Sequence, residues 1–195
     1  MTTMGFTTAA IGVKTMPGGT NVKLDAKRHV RAGETSLIRG RVTPAAGQTV
    51  VVKVGDRKVK TVHTRGDGRF RARWRAPRAG SFAARAIVRD GEPAAQGGSG
   101  SVRINVYRAA SASYYGPGLY GGNLACGGTL RPGTMGVANR SLPCGARLTL
   151  RYGKRSVRVQ VIDRGPFSGN REFDLTAATK ARLAFPSTGT VLSTR

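Results

Sequence analysis

Short runs of alternating apolar and polar residues, separated by glycine turns, dominate the first half of the chain. Between Asn21 and Tyr107 these runs are TSLIRGRV, TVVVKVG, RKVKTVHT, GRFRARWRA, SFAARAIVRD and SVRINVY. Because successive side chains of a strand point to opposite faces, the pattern predicts an antiparallel β-sandwich over residues 21–108. This part of the chain has no cysteine pair. The prediction is therefore an immunoglobulin-like sandwich and not a true immunoglobulin domain.

A second unit is predicted for residues 109–195. It begins in the small-residue stretch RAASAS, which we interpret as the joint between two domains. Its strand candidates are ARLTLRY, SVRVQVID and GTVLSTR, and LTAATKARL is a short helix with Thr176 as its N-cap. The whole chain is thus expected to be mainly β.

The first 20 residues have a faintly apolar middle and no clear cleavage site, so we expect a disordered leader or the remnant of an export signal. No run approaches the roughly 20 apolar residues that a membrane helix needs.

The net charge of +24 favours a polyanionic partner. Nucleic acid, an anionic lipid surface and acidic wall polymers all fit, and a coding bias toward arginine is the alternative explanation. The run RFRARWRAPR interleaves arginines with Phe70 and Trp74. In a strand the two aromatics share one face and the arginines the other, so the aromatics are expected in the core, where they cannot stack on bases. The pattern therefore argues against specific nucleic-acid binding, and we expect a monomer.

Two cysteines, Cys126 and Cys144, enclose a turn-rich stretch of the second unit. An even count without a CxxC motif favours a disulfide and hence an exported, extracellular or cell-envelope protein. A reduced, buried pair is the alternative. The two histidines, His29 and His63, lie far away in the first unit. No four-ligand zinc site can be assembled from this set, and we predict neither a metal nor a cofactor.

From Ala109 onward the only acidic residues are Asp163, Glu172 and Asp174, all within VIDRGPFSGNREFDL. This unit has no histidine and no nucleophile motif, so carboxylates are its only strong acid-base candidates. Asp163 ends a strand candidate and precedes a loop, a common position for functional side chains. Asp174 fits either a functional acid or an acid that caps the following helix. Glu172 is expected to form a surface ion pair.

Several blocks of the second unit occur together and in order: SASYYGPGLYG, GVANRSLPCGARLTLRYGKRSVRVQVIDRGPF, REFDLTAATKARL and the closing GTV. They resemble the RlpA (rare lipoprotein A) family of septal, endolytic peptidoglycan transglycosylases and, more distantly, the barrels of expansins and MltA-type transglycosylases. The resemblance implies a six-stranded double-psi β-barrel with one or two short helices. It also implies cleavage of glycan strands between N-acetylmuramic acid and N-acetylglucosamine, which leaves a 1,6-anhydro end. By this resemblance Asp163 of DRGPF is the catalytic acid, and Asp174 corresponds to the aspartate of the FDL-like block that carries the same role in the distant relatives. We therefore predict Asp163 and Asp174 as the catalytic acid-base pair.

The chain departs from the family at Asn139, where the RlpA pattern usually has a functional histidine. Asparagine can orient a sugar by hydrogen bonds but does not titrate near neutral pH. A non-catalytic, expansin-like binding or wall-loosening protein is therefore the alternative function. The predicted substrate-binding residues are Tyr115, Asn139, Arg164 and Phe167, with Tyr114 and Tyr120 as further candidates to line a groove. The expected partners are peptidoglycan glycan strands and anionic wall polymers.

Overall fold

The structure is a computed structural model that describes residues 21–43, 47–89 and 100–195. The predicted leader, residues 1–20, lies outside the described residues. As expected, the protein is mainly β. Eight strands belong to the first part of the chain: β1 (Asn21–Ala26), β2 (His29–Arg31), β3 (Thr35–Thr43), β4 (Thr49–Val54), β5 (Arg57–His63), β6 (Arg69–Arg75), β7 (Gly80–Val88) and β8 (Gly100–Tyr115). The rest of the chain forms β9 (Val137–Ala138), β10 (Arg147–Tyr152), β11 (Arg155–Asp163), β12 (Phe173–Thr176), helix α1 (Ala177–Leu183) and β13 (Gly189–Ser193).

Two groups of strands in the first part share one hydrophobic core. β1, β3 and β6 form a three-stranded antiparallel sheet, while β5, β4, β7 and β8 pair in that order in a larger sheet. Apolar side chains from both sheets, such as Ile38 and Ile104, belong to one buried cluster. Phe70 is buried there and Trp74 packs against the cluster, whereas the arginines of β6 are exposed. The alternation predicted for RFRARWRAPR is confirmed.

Strand β8 runs without interruption through the stretch that the sequence suggests as a joint. Its first residues pair with β7, and from Arg108 onward it pairs with β13 and then with β12. The small residues Ala110 and Ala112 are buried against the second hydrophobic cluster, which explains why this stretch is poor in large side chains. One strand therefore contributes to both parts of the molecule.

The second part of the chain contains a closed succession of six paired strands. Each of them bonds to the next in the order β8, β12, β9, β11, β10, β13 and back to β8. The β8–β12 and β9–β11 pairs are parallel, and the other four are antiparallel. A second buried cluster fills this ring and includes Leu150, Val161, Phe173 and Leu175.

Helix α1 follows β12 directly. The Thr176 side chain accepts a hydrogen bond from the Thr179 backbone N–H, so the predicted N-cap is confirmed. Leu175, the first residue of the predicted helical run LTAATKARL, instead belongs to β12, because it pairs with Tyr114 of β8. No helix in the described part of the chain is both long and apolar enough to cross a membrane.

Candidate active site

One residue from each of four neighbouring strands lies in a single row along the wall of the ring. In order they are Ser113, Asp174, Ala138 and Asp163. In the ladder between β12 and β8, Asp174 lies opposite Ser113. Ala138 of the short strand β9 is the partner of Asp174 on one side and of Asp163 on the other. Adjacent strands lie about 4.8 Å apart, so the Cα atoms of the two aspartates are about 10 Å apart with the small Ala138 between them. The two acids that the sequence singles out therefore come from different strands to one level of the sheet.

Asp163 stands at the end of β11, beyond an irregularity in the ladder between Val161 and Asp163. This β-bulge brings Asp163 opposite Ala138 and ends the regular pairing. Its Oδ1 accepts hydrogen bonds from the backbone N–H groups of Ala125 and Arg164, both at 2.9 Å. These two bonds fix the orientation of a half-buried carboxylate.

Asp174 is half-buried on β12, two residues before the cap of the helix. Its Oδ1 accepts a hydrogen bond from the Ser113 hydroxyl. The first turn of the helix contains no acidic residue, so the alternative that Asp174 caps the helix is wrong. Ser113 is a member of the site that the sequence reasoning missed. Nothing in the sequence signals it, because its contact with Asp174 depends on the parallel register between two strands 61 residues apart.

The Tyr115 phenol lies next to this row. Burial raises the pKa of Tyr115, and the negative charges of Asp163 and then of Asp174 add to the shift. Hydrogen bonding to the Asp163 carboxylate also raises the Tyr115 pKa, although the buried hydroxyl lies outside strict hydrogen-bond geometry. The Tyr115 hydroxyl is therefore close to the Asp163 carboxylate, and its contact there can be exchanged for a bond to a ligand in the site.

Asn139, which the sequence predicts as a substrate-binding residue, is 4% exposed. Its Nδ2 donates to the Glu172 carbonyl at 2.9 Å, and its Oδ1 accepts from the backbone N–H groups of Ser141 (3.1 Å) and Leu142 (2.7 Å). The Asn139 backbone N–H donates to the Asp163 carbonyl at 3.1 Å. This side chain ties the loop after β9 to the segment before β12, and its polar atoms bond protein backbone.

The Arg164 guanidinium is also directed at protein atoms. It donates to the carbonyls of Asn139 (3.2 Å) and Leu142 (3.0 Å) and to Cys144 Sγ (3.1 Å). Cys144 forms the predicted disulfide with Cys126, which confirms the pairing. The arginine and the disulfide together hold the loop that flanks Asp163.

The aromatic candidates differ widely in exposure. Phe167, in the loop after β11, is 82% exposed, and Tyr120 is 41% exposed. The Tyr114 ring is half-buried and has the Lys180 ammonium 4.4 Å from its centroid. An exposed ring such as Phe167 costs hydrophobic free energy unless a ligand covers it.

Glu172 forms a bidentate ion pair with Arg108, with Nη1 to Oε2 at 2.7 Å. The predicted surface ion pair is confirmed, and the third acid of the segment lies outside the row. Within the described ranges, no three His, Cys, Asp or Glu side chains come together as a metal site would require.

Comparison with known proteins finds a similar family for this region. Residues 107–192 match the lytic transglycolase family. The probable endolytic peptidoglycan transglycosylase RlpA of Synechocystis sp. is 37% identical over 99 residues, which cover 45% of this chain and 30% of the relative. The endolytic peptidoglycan transglycosylase RlpA of Campylobacter jejuni is 35% identical over 81 residues, which cover 40% of this chain and 30% of the relative. The RlpA resemblance is thus confirmed for the second part of the chain, which spans less than a third of the length of these relatives.

Among solved structures, the CARDB domain of a Pyrococcus furiosus protein aligns with 45% of this chain and 91% of its own, at 15% identity and a TM-score of 0.37. This score is too low to assign a fold.

Proposed function

We propose that this protein is an exported cell-envelope enzyme whose RlpA-like part cleaves peptidoglycan glycan strands between N-acetylmuramic acid and N-acetylglucosamine. The observation that carries the proposal is the row that aligns Asp163 and Asp174 about the same residue, Ala138. The match of residues 107–192 to the lytic transglycolase family supports it.

In the proposed reaction Asp163 is the general acid and then the general base. Its Oδ1 is occupied by two backbone N–H groups, so Oδ2 is the oxygen that faces the reaction. The protonated carboxyl gives its proton to the glycosidic oxygen while the bond from that oxygen to C1 of the muramic sugar breaks. The resulting carboxylate then takes the proton of the C6 hydroxyl of the same sugar, whose oxygen bonds to C1. The 1,6-anhydro product forms, Asp163 regains its proton, and no water is consumed.

Asp174 and Tyr115 are proposed to bind the sugar on the other side of Ala138. A gap of two strand spacings leaves room for a sugar ring between the carboxylates. Asp174, oriented by Ser113, accepts hydrogen bonds from sugar hydroxyl groups. The Tyr115 hydroxyl, close to Asp163 but outside strict hydrogen-bond geometry, donates to an oxygen of the bound strand.

The remaining predicted site residues receive different proposed roles. Phe167 is placed to stack on a sugar ring, since its side chain is 82% exposed in the loop that follows Asp163. Arg164 and Asn139 act on the loops around the site and not on the substrate, since their polar atoms bond protein groups. They are positioning residues in this proposal.

We further propose that the ring of six strands is a double-psi β-barrel spanning residues 109–195. Residues 21–108 form an immunoglobulin-like sandwich on the same long strand β8. The second proposal is supported by the single core that the two sheets of this part share. The protein is proposed to act as a monomer.

A non-catalytic, expansin-like binding role is the second candidate, and one observation favours it. At the position of the family's histidine the buried Asn139 supplies no titratable group, and its amide is held by three hydrogen bonds. In this case the same row would bind a glycan strand without breaking it.

The two candidates are separated by the products formed from purified glycan strands that lack stem peptides. Mass spectrometry should detect 1,6-anhydro ends with the unmodified protein, none with Asp163→Asn, and a reduced yield with Asp174→Asn. Glu172→Gln is the matched control, because it neutralises the third acid of the same segment outside the row. Absence of anhydro products from the unmodified protein across a range of pH, with retained binding to insoluble peptidoglycan, would establish the binding role instead.

A further inference from the structure

The outer face of the sheet β1-β3-β6 is covered by cationic side chains. The exposed positions of these strands alternate with buried ones, so their side chains share the face turned away from the core. Seven of them are basic, and we call this surface the basic face: Lys23, Arg39, Arg41, Arg69, Arg71, Arg73 and Arg75. Two carboxylates, Asp25 on β1 and Asp67 before β6, lie with them.

The strand register places like charges directly opposite each other. Arg39 of β3 pairs with Arg71 of β6, and Arg41 pairs with Arg69. Like charges at directly opposed positions destabilise a sheet. In the described part of the chain, Arg69 is the one basic residue of this face in an ion pair, with Asp67 at 3.4 Å. On β1, Asp25 lies opposite Arg39, whereas Lys23 lies opposite Arg41. The row of three cations therefore carries a folding cost that an anionic ligand would lower.

The basic face continues into a cleft of about 560 Å³, where β5 passes beside β6. Lys60, His63 and Arg65 line this cleft together with Arg39, Arg69 and Arg71. Among the described residues, none that lines the cleft is acidic. The cleft shares no residue with the row around Asp163, so it belongs to a different site.

We propose that the basic face and its cleft bind a linear polyol phosphate, the phosphodiester type of anionic wall polymer. Six of the seven cations on the face are arginines, whose planar guanidinium groups bond phosphate oxygens in pairs. Along a strand they repeat every second residue, about 6.7 Å apart, which suits an extended polymer with one charge in every repeat. In a glycan strand stripped of its stem peptides, the lactyl carboxylate occurs on every second sugar, which is a sparser charge than these rows provide.

Nucleic acid is the less suitable polyanion for this surface. Binding of single strands relies on aromatic side chains that stack on the bases. The aromatics of β6, Phe70 and Trp74, point instead into the core. Of the rings that line the cleft, Phe70 is only 6% exposed and His63 is a single imidazole, so this surface offers charge with little aromatic area for stacking.

The choice of a wall polymer rests on the proposed envelope function, but the binding itself is independent of cleavage. The test measures the affinity of the full chain for a synthetic poly(glycerol phosphate) at several salt concentrations. The double variant Arg39→Gln/Arg71→Gln should weaken binding at least about tenfold. The binding constant should also fall less steeply with salt, with the slope of log K against log salt concentration smaller in magnitude by about 2. The melting temperature of this variant should change little, since the loss of two opposed like charges is offset by the loss of the Arg39 charge opposite Asp25.

Arg85→Gln/Arg103→Gln is the matched control, because it removes two exposed arginines from β7 and β8 in the other sheet. This control and Asp163→Asn should bind the polymer as the unmodified protein does. Equal losses in the two double variants would overturn the proposal, because binding would then follow net charge alone. Tighter binding of an oligothymidylate or of a carboxylated glycan of equal charge would overturn the assignment to a phosphate polymer. Failure of this test leaves the glycan cleavage assay unaffected, and the reverse is also true.

Discussion

Replacing Asn139 by alanine should destabilise the protein by an amount that its hydrogen bonds determine. The buried amide makes three bonds, to the Glu172 carbonyl and to the N–H groups of Ser141 and Leu142. At about 1 kcal/mol of net stabilisation for each, Asn139→Ala should lower the free energy of unfolding by about 3 kcal/mol. For a chain of this size that corresponds to a fall in melting temperature of about 6–12 °C.

The assay is thermal unfolding followed by far-UV circular dichroism with the disulfide intact. Asn170→Ala is the matched control, because Asn170 is exposed in the nearby loop before β12 and only its backbone carbonyl is bonded, by the Ser111 hydroxyl. The control should change the free energy of unfolding by no more than about 0.5 kcal/mol. Equal melting temperatures for the two variants would refute the view that Asn139 holds the two loops together.

Three further outcomes are expected. Replacing both Cys126 and Cys144 by serine opens a loop with a sequence separation of 18 and should lower the free energy of unfolding by about 3 kcal/mol, measured by urea titration; an unchanged midpoint would contradict this. The Tyr115 hydroxyl is buried beside Asp163 without strict hydrogen-bond geometry, so Tyr115→Phe should change the free energy of unfolding by no more than about 1 kcal/mol while anhydro-product formation falls; a larger stability loss together with full activity would contradict the proposed role. Burial lowers the pKa of His29, with nearby arginines adding to the shift, so below a pH of about 6.5 the unfolded chain binds more protons and stability falls as the pH drops. His29→Gln should therefore lose less melting temperature than the unmodified protein between pH 7.5 and pH 5, and equal losses would exclude His29 as the cause.

The motif blocks and the alternation of the strands could be interpreted without coordinates because both are local. The faces of β6, the Thr176 cap and the Glu172 ion pair agree with the sequence prediction. A side chain's face follows from its position in a strand, and a cap follows from its position before a helix. Composition left two alternatives for the cysteines, a disulfide or a reduced, buried pair, and the structure contains the disulfide.

The small-residue stretch before Ser113 shows the limit of this reasoning. Composition suggests a joint between domains, whereas the residues continue β8 and bury Ala110 and Ala112 in the second core. Small side chains are compatible with a linker and with a tightly packed strand, and only the neighbouring strands distinguish the two.

The amino-acid sequence by itself determined the mainly β character, the RlpA-like motifs and the two aspartates that could do acid-base chemistry. Only the tertiary structure decided that Asp163 and Asp174 flank Ala138, that Ser113 and Tyr115 accompany them, and that Asn139 and Arg164 bond the protein itself. It also decided that the arginines of β3 and β6 form one face. The physical reason is that the register between strands distant in sequence is set by the packing of the whole sheet, which no local pattern encodes.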